Sequence, residues 1–165
     1  MLRNNDPSKP RVHGNEHING QEDPIPGALI FISSQESDSA EQVSSVAENT
    51  LATLSLPANS YDKILIEAEI RERYEVDASN KTNNTFKIKE DGVTKKTFSS
   101  RIIALATASA DSGNRHTFRI STIIAGGQTS TASITLTGQM SINNANCGLL
   151  IYSFRLWGIN KKIRP

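Results

Sequence analysis

The chain has 165 residues, of which 36% are hydrophobic and 5% aromatic, and its 18 basic and 17 acidic side chains give a net charge of +1. This length suits one ordinary domain with extensions and is short for two. Balanced charge provides no long-range field to attract nucleic acid or an anionic membrane, so we expect neither as a partner. The single cysteine, Cys147, excludes a disulfide within the chain, and no apolar run approaches the roughly 20 residues that span a bilayer.

Residues 1–27 are polar, with four prolines and scattered apolar side chains. Alone, such a segment buries too little surface to offset the entropy lost on ordering. Two interpretations are open: a disordered leader, or an extended arm that becomes ordered by lying across a neighbouring subunit. Val12, Ile18 and Ile25 would anchor such an arm, so we include them in the predicted interface. The segment lacks the apolar core of a signal peptide, which predicts a protein made in the cytoplasm.

Alternation with a period of two, typical of half-buried strands, begins after residue 27. The clearest case is 61–73, where Ile64, Ile66 and Ile70 alternate with charged residues and Leu65 alone breaks the pattern. Strands are predicted at 28–33, 49–56, 61–73, 85–90, 93–98, 101–109, 116–124, 129–137 and 148–157. Asp91-Gly92 predicts a type I′ hairpin turn, because both residues of that turn need positive φ.

Strands that alternate with turns rather than with helices predict an all-β fold of antiparallel sheets. We expect a jelly-roll-like β-sandwich at 28–158, with an extended N-terminal arm at 1–27 and a short basic tail at 159–165. A fibronectin-like or immunoglobulin-like sandwich is the alternative, but it would leave strands over.

The last predicted strand is apolar on both faces, which indicates a central strand or one covered by another subunit. Strict alternation places on one face Leu150, Tyr152, Phe154 and Leu156. It places on the other face Leu149, Ile151, Arg155 and Trp157. We predict that this second set contacts another subunit.

Three groups of polar residues resemble parts of metal or catalytic sites: His13 with Glu16 and His17, His116 with Asp111 and Ser112, and Glu67 with Glu69. The first lies in the Pro- and Gly-containing arm, where a metal-binding helix is not expected. The second is a nearness in sequence that catalytic geometry does not require. The third alternates with Lys63 and Arg71 along a predicted strand, as in a solvated face. We therefore predict no catalytic residue, no metal and no cofactor.

Three segments together resemble the jelly-roll domains of phage and viral structural proteins: TLSLPANSYDKILIEAEI at 53–70, HTFRIS with AGG at 116–127, and FRLWG at 154–158. These domains include capsid decoration proteins, head fibres and the tumour-necrosis-factor-like tips of tail fibres. The resemblance covers 51–158.

The resemblance implies a non-enzymatic virion structural protein, assembled in the host cytoplasm. It would be a minor capsid or decoration subunit that self-associates, as a homotrimer, and docks through its arm on the major capsid protein or another virion protein. The alternative is a receptor- or glycan-binding module of a viral fibre or cell-surface protein, binding through the polar loops 34–42, 77–84 and 139–146.

Overall fold

The computed structural model describes residues 28–36, 45–74, 81–103, 114–141 and 147–160. Within these ranges the chain forms eight strands and no helix: β1 (Leu29–Glu36), β2 (Asn49–Leu56), β3 (Lys63–Tyr74), β4 (Lys81–Glu90), β5 (Val93–Ile103), β6 (Asn114–Ala125), β7 (Ala132–Gln139) and β8 (Gly148–Ile159). Over the described residues, therefore, nothing could cross a membrane as a helix. The predicted arm at 1–27 and most of the predicted tail lie outside the described residues.

The strands form two four-stranded sheets, which we name sheet A (β1-β8-β3-β6) and sheet B (β2-β7-β4-β5). Every pairing is antiparallel. The first four strands pair with the last four in reverse order, β1 with β8, β2 with β7, β3 with β6 and β4 with β5. This is a long hairpin rolled up until β8 meets β3 and β7 meets β4, which is the jelly-roll connectivity. The predicted antiparallel β-sandwich is confirmed.

The core lies between the inner faces of the two sheets. On β3 the alternation places Ile64, Ile66 and Ile70 inside with no exposed surface, as predicted. They face sheet B side chains such as Phe86 of β4, which is also fully buried. Because each buried aliphatic or aromatic side chain contributes about 1.5–3 kcal/mol, this interior is the main source of stability.

The Asp91-Gly92 turn joins β4 to β5 as predicted, with φ angles of 48° and 80°. The strand boundaries differ from prediction on either side of this hairpin. β4 begins at Lys81, inside the predicted polar loop 77–84, and β5 continues to Ile103. The separate strand predicted at 101–109 is therefore wrong for its first three residues, which end β5, and the rest lies outside the described residues. β4 thus begins four residues earlier than predicted. This earlier part includes Asn84, a polar residue that is buried because it donates to Glu72, and the composition of the segment does not reveal that partner.

The predicted faces of β8 are wrong over part of the strand. Glu69 is opposite Ser153, but the next residue, Ile70, is opposite Ile151, so that Tyr152 is an extra residue in a bulge. Since side chains alternate with a period of two, one extra residue exchanges the faces. The core side chains of β8 are therefore Leu149, Ile151, Phe154 and Leu156. The outer face keeps Arg155 and Trp157.

One substitution tests this inward and outward assignment on β2. We expect Leu56→Ala to lower the free energy of unfolding by about 2–5 kcal/mol, because it empties a fully buried site. The neighbouring Ser55→Ala, on the exposed face, should change it by about 0.5 kcal/mol or less. Urea titrations of both variants make the measurement, and equal losses would contradict the assignment.

Candidate functional site

A row of apolar side chains crosses the outer face of sheet A from edge to edge. Phe31 of β1 is opposite Trp157 of β8, and Trp157 is opposite Leu65 of β3. Leu65 is in turn opposite Ile123 of β6. We call these four residues the apolar row. Phe31 and Ile123, on the two edge strands, are each 54% exposed, and Phe31 packs edge-on against Trp157 with ring centroids 5.3 Å apart.

The neighbouring row, which we call the end row, extends the apolar surface. It comprises Leu29, Ile159, Lys63 and Ala125, opposite one another on the same four strands. Leu29 is 55% exposed. The two rows together make a surface about 14 Å wide between its outermost strands, with Lys63 as its only charge. Single exposed apolar residues are ordinary on proteins, but a contiguous apolar patch usually marks an interaction site.

On the other side of the apolar row, two rows carry charges of both signs. The first, which we call the serine row, comprises Ser34, Arg155, Glu67 and Ser121. The second, the charged row, comprises Glu36, Ser153, Glu69 and Arg119. Arg155 Nη2 donates to Glu36 Oε1 over 2.6 Å, and Arg119 Nε lies 3.5 Å from Glu69 Oε2. The outer face of sheet A therefore combines an apolar half with a half of mixed charge.

The outer face of sheet B is polar instead. Thr53 and Thr135 meet across β2 and β7, with their hydroxyl oxygens 3.4 Å apart. The carboxylate of Glu48, which precedes β2, pairs with Lys87 and Lys89 of β4 and accepts a hydrogen bond from Thr137. The pKa of Glu48 falls from 4.5 to about 2, chiefly because Lys87 and Lys89 hydrogen-bond to the carboxylate; burial opposes this shift, and the Thr137 hydroxyl contributes to it. This face is suited to solvent rather than to a hydrophobic contact.

A second polar feature lies inside the sandwich, beyond the apolar core and away from the short turns. Glu72 of β3 and Asn84 of β4 are fully buried, and Ser100 of β5 nearly so. Asn84 Nδ2 donates to Glu72 Oε1 over 2.8 Å, and Ser100 Oγ donates to the same oxygen. His116 Nδ1 of β6 lies 3.0 Å from Glu72 Oε2, although half of the imidazole is exposed. We call these four residues the polar layer.

The polar layer is a connection between the sheets rather than a nucleophile–base pair. The Ser100 hydroxyl donates to the carboxylate and not to the imidazole, whereas an activated serine donates to its histidine. Glu72 and His116 belong to sheet A, and Asn84 and Ser100 to sheet B, so the carboxylate joins strands of both sheets. Over the described ranges, no cluster of three or more His, Cys, Asp or Glu side chains could hold a metal.

The structure separates the residues of the predicted interface. Arg155 and Trp157 lie on the outer face of sheet A, whereas Leu149 and Ile151 lie in the core and cannot contact another subunit without unfolding. Val12, Ile18 and Ile25 fall outside the described residues, as do Asp111 and Ser112. His116 lies on β6, an edge strand of sheet A, and its bond to buried Glu72 was not predicted.

Three further residues of the apolar row were missed: Phe31, Leu65 and Ile123. Leu65 gave the available signal, since it is the one apolar residue on the polar face of the clearest strand. Its meaning depends on neighbours from distant parts of the chain, which the strand pairing reveals.

Comparison with known proteins finds the fold and no family. No family model and no curated protein matches the chain. Among solved structures, it is similar to dimeric latent PorU from Porphyromonas gingivalis, with 10% sequence identity and a TM-score of 0.52. The match covers 83% of this chain but only 13% of the PorU chain. At this identity the likeness shows a shared β-sandwich fold alone.

The polar layer yields a stability prediction. We expect Glu72→Ala to lower the free energy of unfolding by about 3 kcal/mol, because it leaves the buried donors of Asn84 and Ser100 without an acceptor. His116→Ala should cost only about 1 kcal/mol, since water can reach half of the imidazole. Glu69→Ala, on the outer face of the same strand, is the control. The measurement is chemical denaturation. If Glu69→Ala lowered the free energy of unfolding as much as Glu72→Ala does, the structural role assigned to the polar layer would be contradicted.

Glu48 yields a pH dependence. Its pKa is lower in the folded chain than the ordinary value of 4.5, so its contribution is complete above about pH 4.5 and is lost as pH falls toward 2. The contribution should be about 1 kcal/mol or less, because the pair is partly solvated. We expect Glu48→Gln to be less stable than the native chain above pH 4.5, and the difference to shrink as pH falls through 2, in denaturation measured across this range. A difference that stays constant from pH 5 to below pH 2 would show another origin.

Proposed function

We propose that this protein is a non-enzymatic structural subunit that acts by packing the outer face of sheet A against another protein surface. The observation that carries the proposal is the apolar row, which crosses all four strands of one outer face. A sheet face that stays in water usually carries polar side chains, as sheet B does. Phe31, Leu29 and Ile123 expose more than half of their surface, so covering them releases free energy at about 25 cal/mol per Å².

The nature of the assembly is the second part of the proposal. The jelly-roll resemblance of 51–158 supports a virion subunit, of capsid-decoration type, that associates with its own copies and with the major capsid or another virion protein. The docking role of 1–27 stays a prediction, because this segment lies outside the described residues, and the predicted homotrimer is the alternative to the two-fold arrangement argued below. A position in a shell would place sheet A at a subunit boundary and leave the polar face of sheet B toward water.

A receptor- or glycan-binding module is the second candidate, and one observation favours it. Phe31 and Trp157 are neighbouring aromatic side chains on an outer face, and aromatic rings are common platforms for sugars. Their interplanar angle is 72°, however, so the two rings do not form one flat platform. A titration of glycans against the full chain, read by Trp157 fluorescence, distinguishes this candidate, since a structural subunit should show no saturable change.

The main proposal is tested by removing the apolar row from the full-length chain. We expect Phe31→Ser with Ile123→Ser to abolish self-association, measured as molar mass by light scattering over a wide range of concentrations. Both side chains are half exposed, so the fold should survive their removal.

Val93→Ser is the matched control, because Val93 is 61% exposed but belongs to sheet B. It should keep the mass of the native chain. A double variant that associates as the native chain does would contradict the assignment of this face as the contact surface.

A further inference from the structure

We propose that two copies of the chain pack sheet A against sheet A, about a two-fold axis that runs parallel to the strands between β8 and β3. The inference rests on the proposed function, because it names the occupant of the same surface. The observation behind it is the arrangement of charged and apolar residues across the face. After this rotation, apolar residues of one copy face apolar residues of the other, and charges face opposite charges.

The rotation reverses the order of the strands across the face, but each residue keeps its position along the strand direction, so every row faces the same row of the second copy. It places β1 over the β6 strand of the second copy, and β8 over the β3 strand, because these are the outer and inner pairs of sheet A. The apolar row therefore falls on the apolar row. Phe31 faces the partner's Ile123, and Trp157 faces the partner's Leu65. In the end row, Leu29 faces the partner's Ala125, and Ile159 meets the aliphatic stem of the partner's Lys63.

The polar half is complementary under the same rotation. In the serine row, Arg155 faces the partner's Glu67, and the two serines face each other. In the charged row, Glu36 faces the partner's Arg119, and Ser153 faces the partner's Glu69. No two like charges meet in these four rows. Complementary charge of this kind selects the orientation in which two copies meet.

Other arrangements lack this match. A two-fold axis across the strands that kept the apolar row on itself would place the end row over the serine row. Leu29 would then face the partner's Ser34, and Ile159 the partner's Arg155, so that apolar surface would be covered by a charge. The outer face of sheet B offers no alternative, because Lys87 and Lys89 outnumber Glu48 there and two copies would repel.

The area of the face suits a dimer. Four strands of about 11 residues cover roughly 700 Å², from their spacing and rise. A stable interface buries about 800 Å² per partner, so the whole face is needed and the two apolar rows alone are too small. Two sheets pack well when their strands are nearly aligned, as this axis makes them.

Charge reversal at one intermolecular pair provides the test. Glu36 and Arg119 lie on opposite edges of sheet A, so they cannot contact each other within one chain. We expect Glu36→Arg alone, and Arg119→Glu alone, each to weaken the dimer about tenfold or more, because each places like charges together twice. An equimolar mixture of the two variants should restore the native affinity, since every pair across the mixed interface is again opposite in sign.

The full-length variants are compared by sedimentation velocity, with one of them fluorescently labelled to identify the mixed species. Lys96→Glu, an exposed charge reversal on β5 of sheet B, is the control and should leave the dimer unchanged. Loss of Glu36–Arg155 or Arg119–Glu69 contacts inside each chain persists in the mixture, so recovery there can come only from contacts between chains.

Failures of the two proposals are distinguishable. If Phe31→Ser with Ile123→Ser abolishes association but the mixture does not recover, the surface is correct and the two-fold arrangement is wrong. A trimer, or a native chain that is monomeric at all concentrations, overturns the two-fold arrangement as well. If the double variant associates normally, the surface itself is wrong and the proposed function falls with it.

Discussion

Burial of one face of each sheet against the other is the constraint on which the rest of the structure depends. Apart from Glu72 and Asn84 of the polar layer, the buried inward residues of β3, β4, β7 and β8 are mainly aliphatic or aromatic. The rolled hairpin meets this constraint, because each strand has its apolar side inward and its backbone bonded to a neighbour. The outer faces contribute less to folding, so their composition reports more directly on what the protein contacts.

The polar layer lies at one end of this apolar interior and joins the two sheets there by hydrogen bonds. A buried carboxylate is costly unless its oxygens are hydrogen-bonded, and Glu72 continues the inward face of β3 beyond Ile70. Asn84, Ser100 and His116 supply donors from three other strands, so the carboxylate binds the two sheets together. Such a network constrains the relative position of the sheets more than an apolar contact does, because hydrogen bonds are directional.

The local parts of this fold could be predicted from sequence, and the nonlocal parts could not. Alternation at Ile64, Ile66 and Ile70 predicted the inward face of β3, and Asp91-Gly92 predicted the turn between β4 and β5, because both features depend on neighbouring residues alone. The bulge at Tyr152 depends on the pairing of β8 with β3, about 80 residues apart in the chain. For the same reason the apolar row was visible only through Leu65 and Trp157, two of its four members. The partners of Glu72 come from three strands and left no motif.

The outer face of sheet A also bears on how copies of the chain avoid uncontrolled association. β1 and β6 are the edges of that sheet, and an exposed edge can pair with any other strand. Phe31 and Ile123 lie on these two edge strands. A face-to-face contact between copies would cover both side chains without using the backbone hydrogen-bonding groups of the edges. A closed two-fold contact uses each face once and cannot continue into a fibre, whereas an edge contact can. The charges of Glu36 and Arg119, also on the edge strands, favour the closed contact, because each then faces an opposite charge of the second copy in addition to its partner within the chain.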